Sequence, residues 1–490
     1  MNIFRKIKNF VRRIFVDYGA IDRMIEEKSR NYSDNIINVN SKNIEHLTLE
    51  LKQDFNHKIS DISERINNCY DKIDRISNEN NNNKFEIQKE LSKLQQYVNQ
   101  YKYCNSEIQG IANDKKKKNI LIVGFYGAPN LGDELMLETI LDYLENIDNK
   151  EIMVMIADNP NYNIDKYKDV KFIHYPLCVS DFNILADKYD YIVFGGGAII
   201  DDTQYQKEKS YQYDLGTILI KLAIRAIAFH KKVVCIGLSS CKHIKNDEYL
   251  KKLRHIIENS TIFTVRDKYT KNYLKEVLGE DIDRHVLVTN DIVFSNKEIR
   301  GHIRKCEDIL KEKKNIGIVY ISNDNNKEKL KLLIKSVKSQ IKDARINLIP
   351  FYDYDNCDTK FYKAIQEEET DCNVEKYPEN MEELISIYKK NDIIIGMRYH
   401  AILLAYIFNI PCIPICYDIH EHYLYKVRSI NELFNKTESI NYSTFTENDI
   451  VGGMKHLSNE DFKNKYELCN KIIDEAEEEM NGIVKNIFKL

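Results

Sequence analysis

The 490-residue sequence contains no tryptophan, only seven prolines and no long uninterrupted apolar segment. A membrane-spanning helix needs about 20 consecutive apolar residues. The most apolar stretch, 401–417, is interrupted by Asn409 and by two prolines. Arg12 and Arg13 divide the N-terminal apolar residues, which excludes the apolar core of a signal peptide. We therefore expect a cytoplasmic protein without a transmembrane helix.

Cysteine spacing and net charge exclude several further classes. The eleven cysteines form no Cys-x-x-Cys pair, which argues against a zinc site or a disulfide framework and favours a reducing compartment. Lysine and arginine total 72 against 76 acidic residues, giving a net charge of −4, so we expect no nucleic-acid partner. Because a single core stops growing at about 250–300 residues, the length predicts two or three structural units.

Residues 1–20 predict a basic amphipathic helix. Isoleucine, phenylalanine and valine recur at helical spacing over residues 1–16, and five basic residues occupy the remaining positions. Such a helix can lie peripherally on the anionic inner face of the cytoplasmic membrane. The alternative is a helix that packs on the body of the protein or on a partner.

Residues 21–118 predict a helical coiled-coil region and a linker. From Phe55 to Ile76 apolar residues alternate at spacings of four and three, which is the a/d seam of a coiled coil. An asparagine-rich break at 78–83 follows, and the spacing resumes from Ile87 to Tyr101. We expect a homo-oligomer through this region, although an antiparallel hairpin within one chain satisfies the same pattern.

The remainder of the chain predicts an α/β fold. Short apolar runs typical of buried parallel strands alternate with helical patterns over residues 119–300 and again over 310–435. We interpret these ranges as two tandem doubly wound, Rossmann-like lobes, followed by a helical tail at 436–490. Ligands of such sheets bind beyond the carboxyl ends of the strands, and two lobes can face each other across a cleft.

The first candidate site follows the first predicted strand, where residues 124–134 read GFYGAPNLGDE. Gly127 and Gly132 allow a sharp turn and a close approach to a ligand. Asp133 is the expected N-cap of the next helix, whose free N–H groups attract anions, and Asn130 lies in the same turn. The alternative is a capped turn that binds nothing.

Two more candidates lie at later strand ends. Gly195, Gly196 and Gly197 end a strand, where three consecutive glycines suit a close approach by a ligand or a second backbone. Arg266 ends another strand, directly before the expected cap Asp267. This arginine either binds a ligand or pairs with an acid, for which Asp291 is the candidate.

The fourth candidate is an Arg-x-His pair. Arg398 and His400 follow the buried run Ile393–Ile395 and open a helix. Arginine offers a planar fork for carboxylate or phosphate, and histidine suits proton transfer near neutral pH. A single histidine is more often structural, but its position at a strand end favours function.

These segments together resemble the polysaccharide pyruvyl transferase family. The resemblance covers about residues 119–420 and rests on GFYGAPNLGDE, FGGGAIIDD, CIGL, TVRDKYT, TNDIVF and GMRYHAILLAYIFNIPCIPICYD, in that order. It implies two nucleotide-binding-like lobes similar to the GT-B glycosyltransferase architecture. It also implies transfer of the enolpyruvyl group of phosphoenolpyruvate onto a sugar diol, which yields a pyruvate ketal and phosphate without a metal or a cofactor.

The resemblance further implies residue roles. His400 is expected to protonate the methylene carbon, Arg398 to hold the phosphate or carboxylate of the donor, and Asp133 to be the base for the attacking hydroxyl. The expected substrate-binding residues are Gly127, Asn130, Gly132, Gly195, Gly196, Gly197, Arg266, Asp291 and His420.

The acceptor is expected to be a cell-surface glycan or its lipid-linked precursor. Two positions depart from the family pattern: Pro129 replaces a common glycine, and His420 replaces a common lysine, for which Lys426 is another substitute. The alternatives are a GT-B glycosyltransferase that uses a nucleotide sugar and a non-catalytic coiled-coil scaffold.

Overall fold

A computed structural model describes residues 116–157, 167–176, 179–203, 205, 214–240, 244–305, 315–369, 371–419, 421–434, 439–458 and 462–488. The helix predicted at 1–20, the predicted heptads and His420 lie outside the described residues. No helix of the described part is long and apolar enough to cross a bilayer.

The N-terminal lobe is built on a seven-stranded parallel sheet with the order β3-β2-β1-β4-β5-β6-β7. The strands are β1 Lys118–Val123, β2 Lys150–Ile156, β3 Val170–His174, β4 Tyr191–Ile200, β5 Lys232–Ser240, β6 Ile262–Val265 and β7 Leu287–Val288. The helices are α1 Leu131–Leu144, α2 Val179–Lys188, α3 Leu215–Ala228, α4 Asp247–Asn259, α5 Lys268–Leu278 and α6 Lys297–Arg300. The central strands read as continuous apolar runs because helices cover both faces of the sheet.

The C-terminal lobe repeats this plan with a six-stranded parallel sheet of order β10-β9-β8-β11-β12-β13. Its strands are β8 Asn315–Val319, β9 Arg345–Leu348, β10 Cys372–Val374, β11 Ile393–Gly396, β12 Cys412–Cys416 and β13 Ile440–Asn441. Its helices are α7 Lys327–Gln340, α8 Cys357–Glu368, α9 Met381–Lys389, α10 Tyr399–Ile407, α11 Glu421–Leu433 and α12 Glu447–Ser458. In both sheets the strand order reverses beside the first strand, as in doubly wound nucleotide-binding folds, which confirms the two tandem lobes.

Several predicted boundaries differ from the observed ones. The three glycines lie inside β4, which continues to Ile200 because the strand absorbs them with a register shift. Residues Glu280–His285 form a 3-10 helix, and only the short β7 pairs at the sheet edge. The C-terminal lobe extends past the predicted limit at residue 435, because β13 joins its sheet and α12 packs on its core.

The last helix, α13 (Phe462–Phe488), connects the two lobes. Near its start, Lys465 Nζ donates a hydrogen bond of 3.1 Å to the carbonyl of Ile410 in the C-terminal lobe. At its other end, the ring of Phe488 packs on Tyr191, with 4.5 Å between ring centroids. One continuous apolar core contains side chains of both lobes and of this helix, so the lobes are held in one arrangement.

Backbone hydrogen bonds also join the lobes directly. Leu131 N donates to Phe351 O at 3.1 Å, and Asp353 N donates to Pro129 O at 2.8 Å. Asn130 and Tyr352 form an isolated antiparallel bridge between these two bonds. This pairing of residues 129–131 with 351–353, the interlobe bridge, holds the loop after β1 against the loop after β9.

Candidate functional site

The carboxyl ends of the strands in both sheets bring polar side chains together between the lobes. The N-terminal lobe contributes the start of α1, Arg266 after β6 and Asp291 after β7. The C-terminal lobe contributes Arg398 and His400 at the start of α10. Because parallel strands end at the same edge of a sheet, residues far apart in sequence meet there.

Arg266 and Asp291 form a buried ion pair. Arg266 Nη1 donates to Asp291 Oδ2 at 3.0 Å, and each side chain is only 2% exposed. Burial opposes ionisation of Asp291, but His400 and Arg266 outweigh it and hold the pKa of this carboxyl well below its usual range. The ring of Tyr399 covers the guanidinium, with its centroid 4.0 Å from Arg266 Cζ. The predicted pairing of Arg266 with Asp291 is therefore confirmed.

His400 belongs to the C-terminal lobe but projects against the N-terminal lobe. Its Nε2 lies 3.6 Å from Asp291 Oδ2. Its ring rests directly on Gly132, where any Cβ would overlap the imidazole. The imidazole is largely buried in the interlobe contact. Gly132 is therefore required to admit the histidine, which is a close approach by a side chain rather than by a ligand.

Opposing effects set the pKa of His400. Burial lowers it below the usual value, whereas the neighbouring Asp291 carboxylate raises it. The positive charges of Arg266 and Lys426 lower it further. The free protein therefore holds a mostly neutral imidazole at pH 7, and an anion bound beside it would favour protonation.

Asp133 lies in the first turn of α1 and not at the predicted N-cap. The helix begins at Leu131, so Asn130 occupies the cap position, and its Nδ2 donates to Asp133 Oδ2. Burial raises the pKa of Asp133 to about 7, against the opposing charges of Lys426 and Arg266. A carboxyl that titrates near neutral pH can accept a proton from a hydroxyl group and release it again.

Arg398 occupies the N-cap position of α10 and is held by Asp358. Its Nη2 lies 3.0 Å from Asp358 Oδ1, and the arginine side chain is 16% exposed. Asp358 also accepts hydrogen bonds from the backbone N–H groups of Phe351 and Tyr352, at 3.0 and 2.8 Å. Arg398 is therefore fixed in orientation, and its side chain remains partly exposed.

Most of the glycines of the predicted site admit close protein neighbours. A Cβ at Gly195 would overlap Ile140, and one at Gly196 would overlap Met136, so both glycines admit side chains of α1. Gly127 has a φ of 82° and lies against Ile156 at the end of β2. Within the β4 run only Gly197 faces the site, where its Cβ position lies 3.3 Å from Asp133 Oδ1. Packing therefore accounts for Gly127, Gly195 and Gly196, and a ligand-binding role for them stays a prediction.

The polysaccharide pyruvyl transferase family model matches residues 130–419, which is more than half of the chain. The chain belongs to this family. The match includes Asp133, Arg266, Asp291, Arg398 and His400. A search of curated protein sequences finds no match.

Solved structures of low sequence identity resemble this pyruvyl transferase family member. UDP-GlcNAc 2-epimerase from Neisseria meningitidis, bound to UDP-GlcNAc, is 14% identical, with a TM-score of 0.48 over 76% of this chain and 100% of that chain. The enzyme of the same name from Methanocaldococcus jannaschii is 14% identical, with a TM-score of 0.46 over 70% and 93%. Alr3699/HepE from Anabaena, in complex with UDP and glucose, is 11% identical, with a TM-score of 0.43 over 75% and 96%.

Sequence reasoning missed two residues of the family member's site. Asp358 is buried and pairs with Arg398. It lies in the first turn of α8, where no sequence motif marks it as a functional residue. Tyr399 lies between the two recognised residues of the Arg-x-His pair and covers Arg266. The position of Tyr399 between Arg398 and His400 was the sequence feature that could have indicated its role. Among the described residues there is no group of three histidine, cysteine, aspartate or glutamate side chains that could hold a metal ion.

Proposed function

We propose that this protein transfers the enolpyruvyl group of phosphoenolpyruvate onto a sugar diol of a cell-surface glycan or its lipid-linked precursor. The products are a cyclic pyruvate ketal and phosphate. One observation carries the proposal: the imidazole of His400 and the carboxyl of Asp133, whose pKa burial raises to about 7, both lie in the field of Arg266 and Lys426 between the lobes. Family membership supports the same reaction.

The donor is held by positive charge. Arg398 has a fixed, partly exposed side chain, and its guanidinium suits the carboxylate or phosphate of phosphoenolpyruvate. The charges of Lys426 and Arg266 act on Asp133 and on His400, so their field extends across the cluster. Lys426 is thereby favoured as the substitute for the lysine that the family pattern has at position 420.

His400 is the general acid in this proposal. Binding of the anionic donor raises the pKa of the neighbouring imidazole, which becomes protonated. The imidazolium gives its proton to the methylene carbon of the donor, and the adjacent carbon becomes electrophilic. Asp291 is a positioning residue, because its carboxylate faces the imidazole at 3.6 Å and stabilises the protonated form.

Asp133 is the base for the acceptor. It takes the proton of the first sugar hydroxyl as that oxygen bonds to the electrophilic carbon. The carbon–oxygen bond to phosphate then breaks, and the second hydroxyl closes the ring. Of the two hydroxyl protons, one replaces the proton that His400 gave to carbon, and the other leaves with phosphate.

The remaining expectations complete this proposal. Phosphoenolpyruvate as donor implies action in the cytoplasm, and a lipid-linked acceptor suits a peripheral position on the inner membrane face through residues 1–16. The heptads would bring several copies together. Their test is light scattering and vesicle binding of the full chain beside a chain that lacks residues 1–105.

The reaction is tested by phosphate release from the full-length protein. Release is expected only when phosphoenolpyruvate and a saccharide acceptor are both present, and mass spectrometry should detect a pyruvate ketal on the acceptor. If no soluble saccharide is accepted, mass spectrometry should compare surface glycans from cells with and without the protein. The ketal is expected only in cells that have it. Turnover of a nucleotide sugar with no ketal would favour the glycosyltransferase, and no turnover with either donor would favour a scaffold.

A further inference from the structure

A separate cavity of about 740 Å³ adjoins the interlobe bridge. Its volume is within the range of about 300–1,000 Å³ that is typical of small-molecule sites. Pro129 and Leu131 of the bridge line it from the N-terminal lobe, and Asp353 lines it from the C-terminal lobe. Of the described residues that line it, none is Arg266, Asp291, Arg398 or His400, so the cavity is distinct from the cationic cluster.

The charge of this cavity is opposite to that of the cluster. Its described lining contains two lysines, Lys363 and Lys376, and no arginine. Six carboxylates line it: Glu134, Glu138, Asp353, Asp355, Glu375 and Glu379. Lys376 pairs with Glu379 at 2.5 Å, and two lysines outside the lining, Lys390 and Lys360, pair with Glu375 and Asp355. The six carboxylates still outnumber these four lysines by two. A phosphate or a carboxylate would be repelled here, and phosphoenolpyruvate belongs in the other site.

The cavity also offers apolar surfaces beside its hydrogen-bond acceptors. The ring of Tyr377 lines it between Lys376 and Pro378 and packs against the interlobe core. Burial raises the pKa of Tyr377 well above its usual range, with added contributions from Glu134 and Asp353, so the hydroxyl remains a donor. Flat apolar surfaces with carboxylate acceptors suit a molecule that has C–H faces and many hydroxyl groups.

The cavity lies next to the proposed base. Glu134 lines it and directly follows Asp133 in α1. Its carboxylate is fixed, because Oε1 accepts from Gly127 N at 3.2 Å and Oε2 accepts from Tyr167 Oη at 3.1 Å. The charge of Asp133 also acts on Tyr377, which places the tyrosine within electrostatic range of the base. The cavity is therefore bounded by the same first turn of α1 that carries Asp133.

From the lining, the charge and this position we infer that the cavity is the acceptor subsite and that it selects an uncharged saccharide. The inference rests on the proposed function and adds the class of acceptor. The two substrates are then separated by charge, with the anionic donor at Arg398 and the neutral sugar among the carboxylates.

Saturation-transfer NMR on the full-length protein tests this inference. The probes are the methyl glycosides of glucose, galactose and mannose, with methyl glucuronide as the anionic counterpart. At least one neutral glycoside should bind and the glucuronide should not. Tyr377→Ala should weaken that binding about tenfold, because a ring contact and a hydrogen bond are lost. Tyr354→Ala is the matched control, since this exposed tyrosine does not line the cavity.

A second measurement separates this inference from the proposed function. In phosphate-release assays Tyr377→Ala should raise the KM for the acceptor about tenfold and leave the KM for phosphoenolpyruvate unchanged. An active enzyme whose acceptor KM is the same in Tyr377→Ala would overturn the subsite and leave the reaction standing. Neutral glycosides that bind in a Tyr377-dependent way to a protein that never releases phosphate would overturn the reaction alone. Equal binding of glucuronide, or no neutral binding, would contradict the selection by charge.

Discussion

Each lobe presents one arginine between the lobes, and the two are held in similar ways but differ in exposure. Arg266 pairs with Asp291 and lies under the ring of Tyr399. Arg398 pairs with Asp358, and its Cζ is 5.4 Å from the ring centroid of Tyr352. The first side chain is 2% exposed and the second 16%.

This difference in burial gives the two arginine–aspartate pairs different roles. Arg266 is enclosed by protein, so its charge stabilises Asp291 and acts on the site through the field alone. Arg398 has a partly exposed side chain, which suits the direct donor contact proposed for it. His400 connects the two sets, because it follows Arg398 in α10 but faces the aspartate of the other pair.

The connecting histidine gives the largest expected effect. His400→Ala should lower kcat about 10²–10⁴-fold, the usual contribution of a general acid, while both arginine pairs and the fold persist. The measurement is phosphate release at saturating donor and acceptor. His255→Ala on the exposed face of α4 is the matched control. Unchanged turnover in His400→Ala would remove the histidine from the mechanism and leave the two arginines unconnected.

The next largest effects come from replacing each arginine by methionine, which compares the roles of the two arginines. Arg266→Met leaves the Asp291 carboxylate buried without its cation, which should lower the free energy of unfolding by about 3–5 kcal/mol. Arg398→Met also leaves a buried carboxylate, but Asp358 keeps two backbone donors and the hydroxyl of Ser322, so the loss should be smaller, about 1–3 kcal/mol.

Donor binding should rank the same two variants in the opposite order, with the larger loss in Arg398→Met. Loss of a charged hydrogen bond in Arg398→Met should raise the KM for phosphoenolpyruvate roughly 10- to 150-fold, equivalent to about 1.5–3 kcal/mol. Urea unfolding and steady-state kinetics on both proteins check the pair of expectations. Equal losses of stability would show that the difference in exposure does not separate their roles.

The sequence predicted the central strands of both sheets and the Arg266–Asp291 pair, because each rests on local patterns in a parallel fold. It did not predict the short edge strands β3, β10 and β13, which have little apolar pattern of their own. It did not predict Asp358, which reaches Arg398 from 40 positions away. It predicted a close approach at Gly195 and Gly196 but not which atoms come close. A glycine signals that something comes close, but the identity of the neighbour, here side chains of α1, depends on packing.

The pH dependence of activity tests how Asp291 acts on His400. The acid must be protonated, so kcat/KM should fall as the pH rises through the pKa of His400, which burial holds below its usual value. Asp291→Asn removes the negative charge that favours protonation, so this falling limb should move to lower pH by about one to three units. Donor anions raise the same pKa in the complex, so kcat should fall at a higher pH than kcat/KM. A limb that stays in place in Asp291→Asn would exclude electrostatic support of His400 by this aspartate.

The smallest expected effect is the difference in energy between the two arginine–ring contacts, Arg266 with Tyr399 and Arg398 with Tyr352. A cation over a ring is worth about 0.5–1 kcal/mol at an exposed site and about 2 kcal/mol when the cation is desolvated. The double-mutant cycle of Arg266→Met with Tyr399→Leu should therefore give a coupling energy of about 2 kcal/mol in unfolding. The cycle of Arg398→Met with Tyr352→Leu should give about 0.5–1 kcal/mol, because its arginine is partly hydrated and farther from the ring. Each cycle serves as the control of the other. Equal coupling energies would mean that both guanidinium groups are equally dry, and Arg398 would then be no more available to a donor than Arg266.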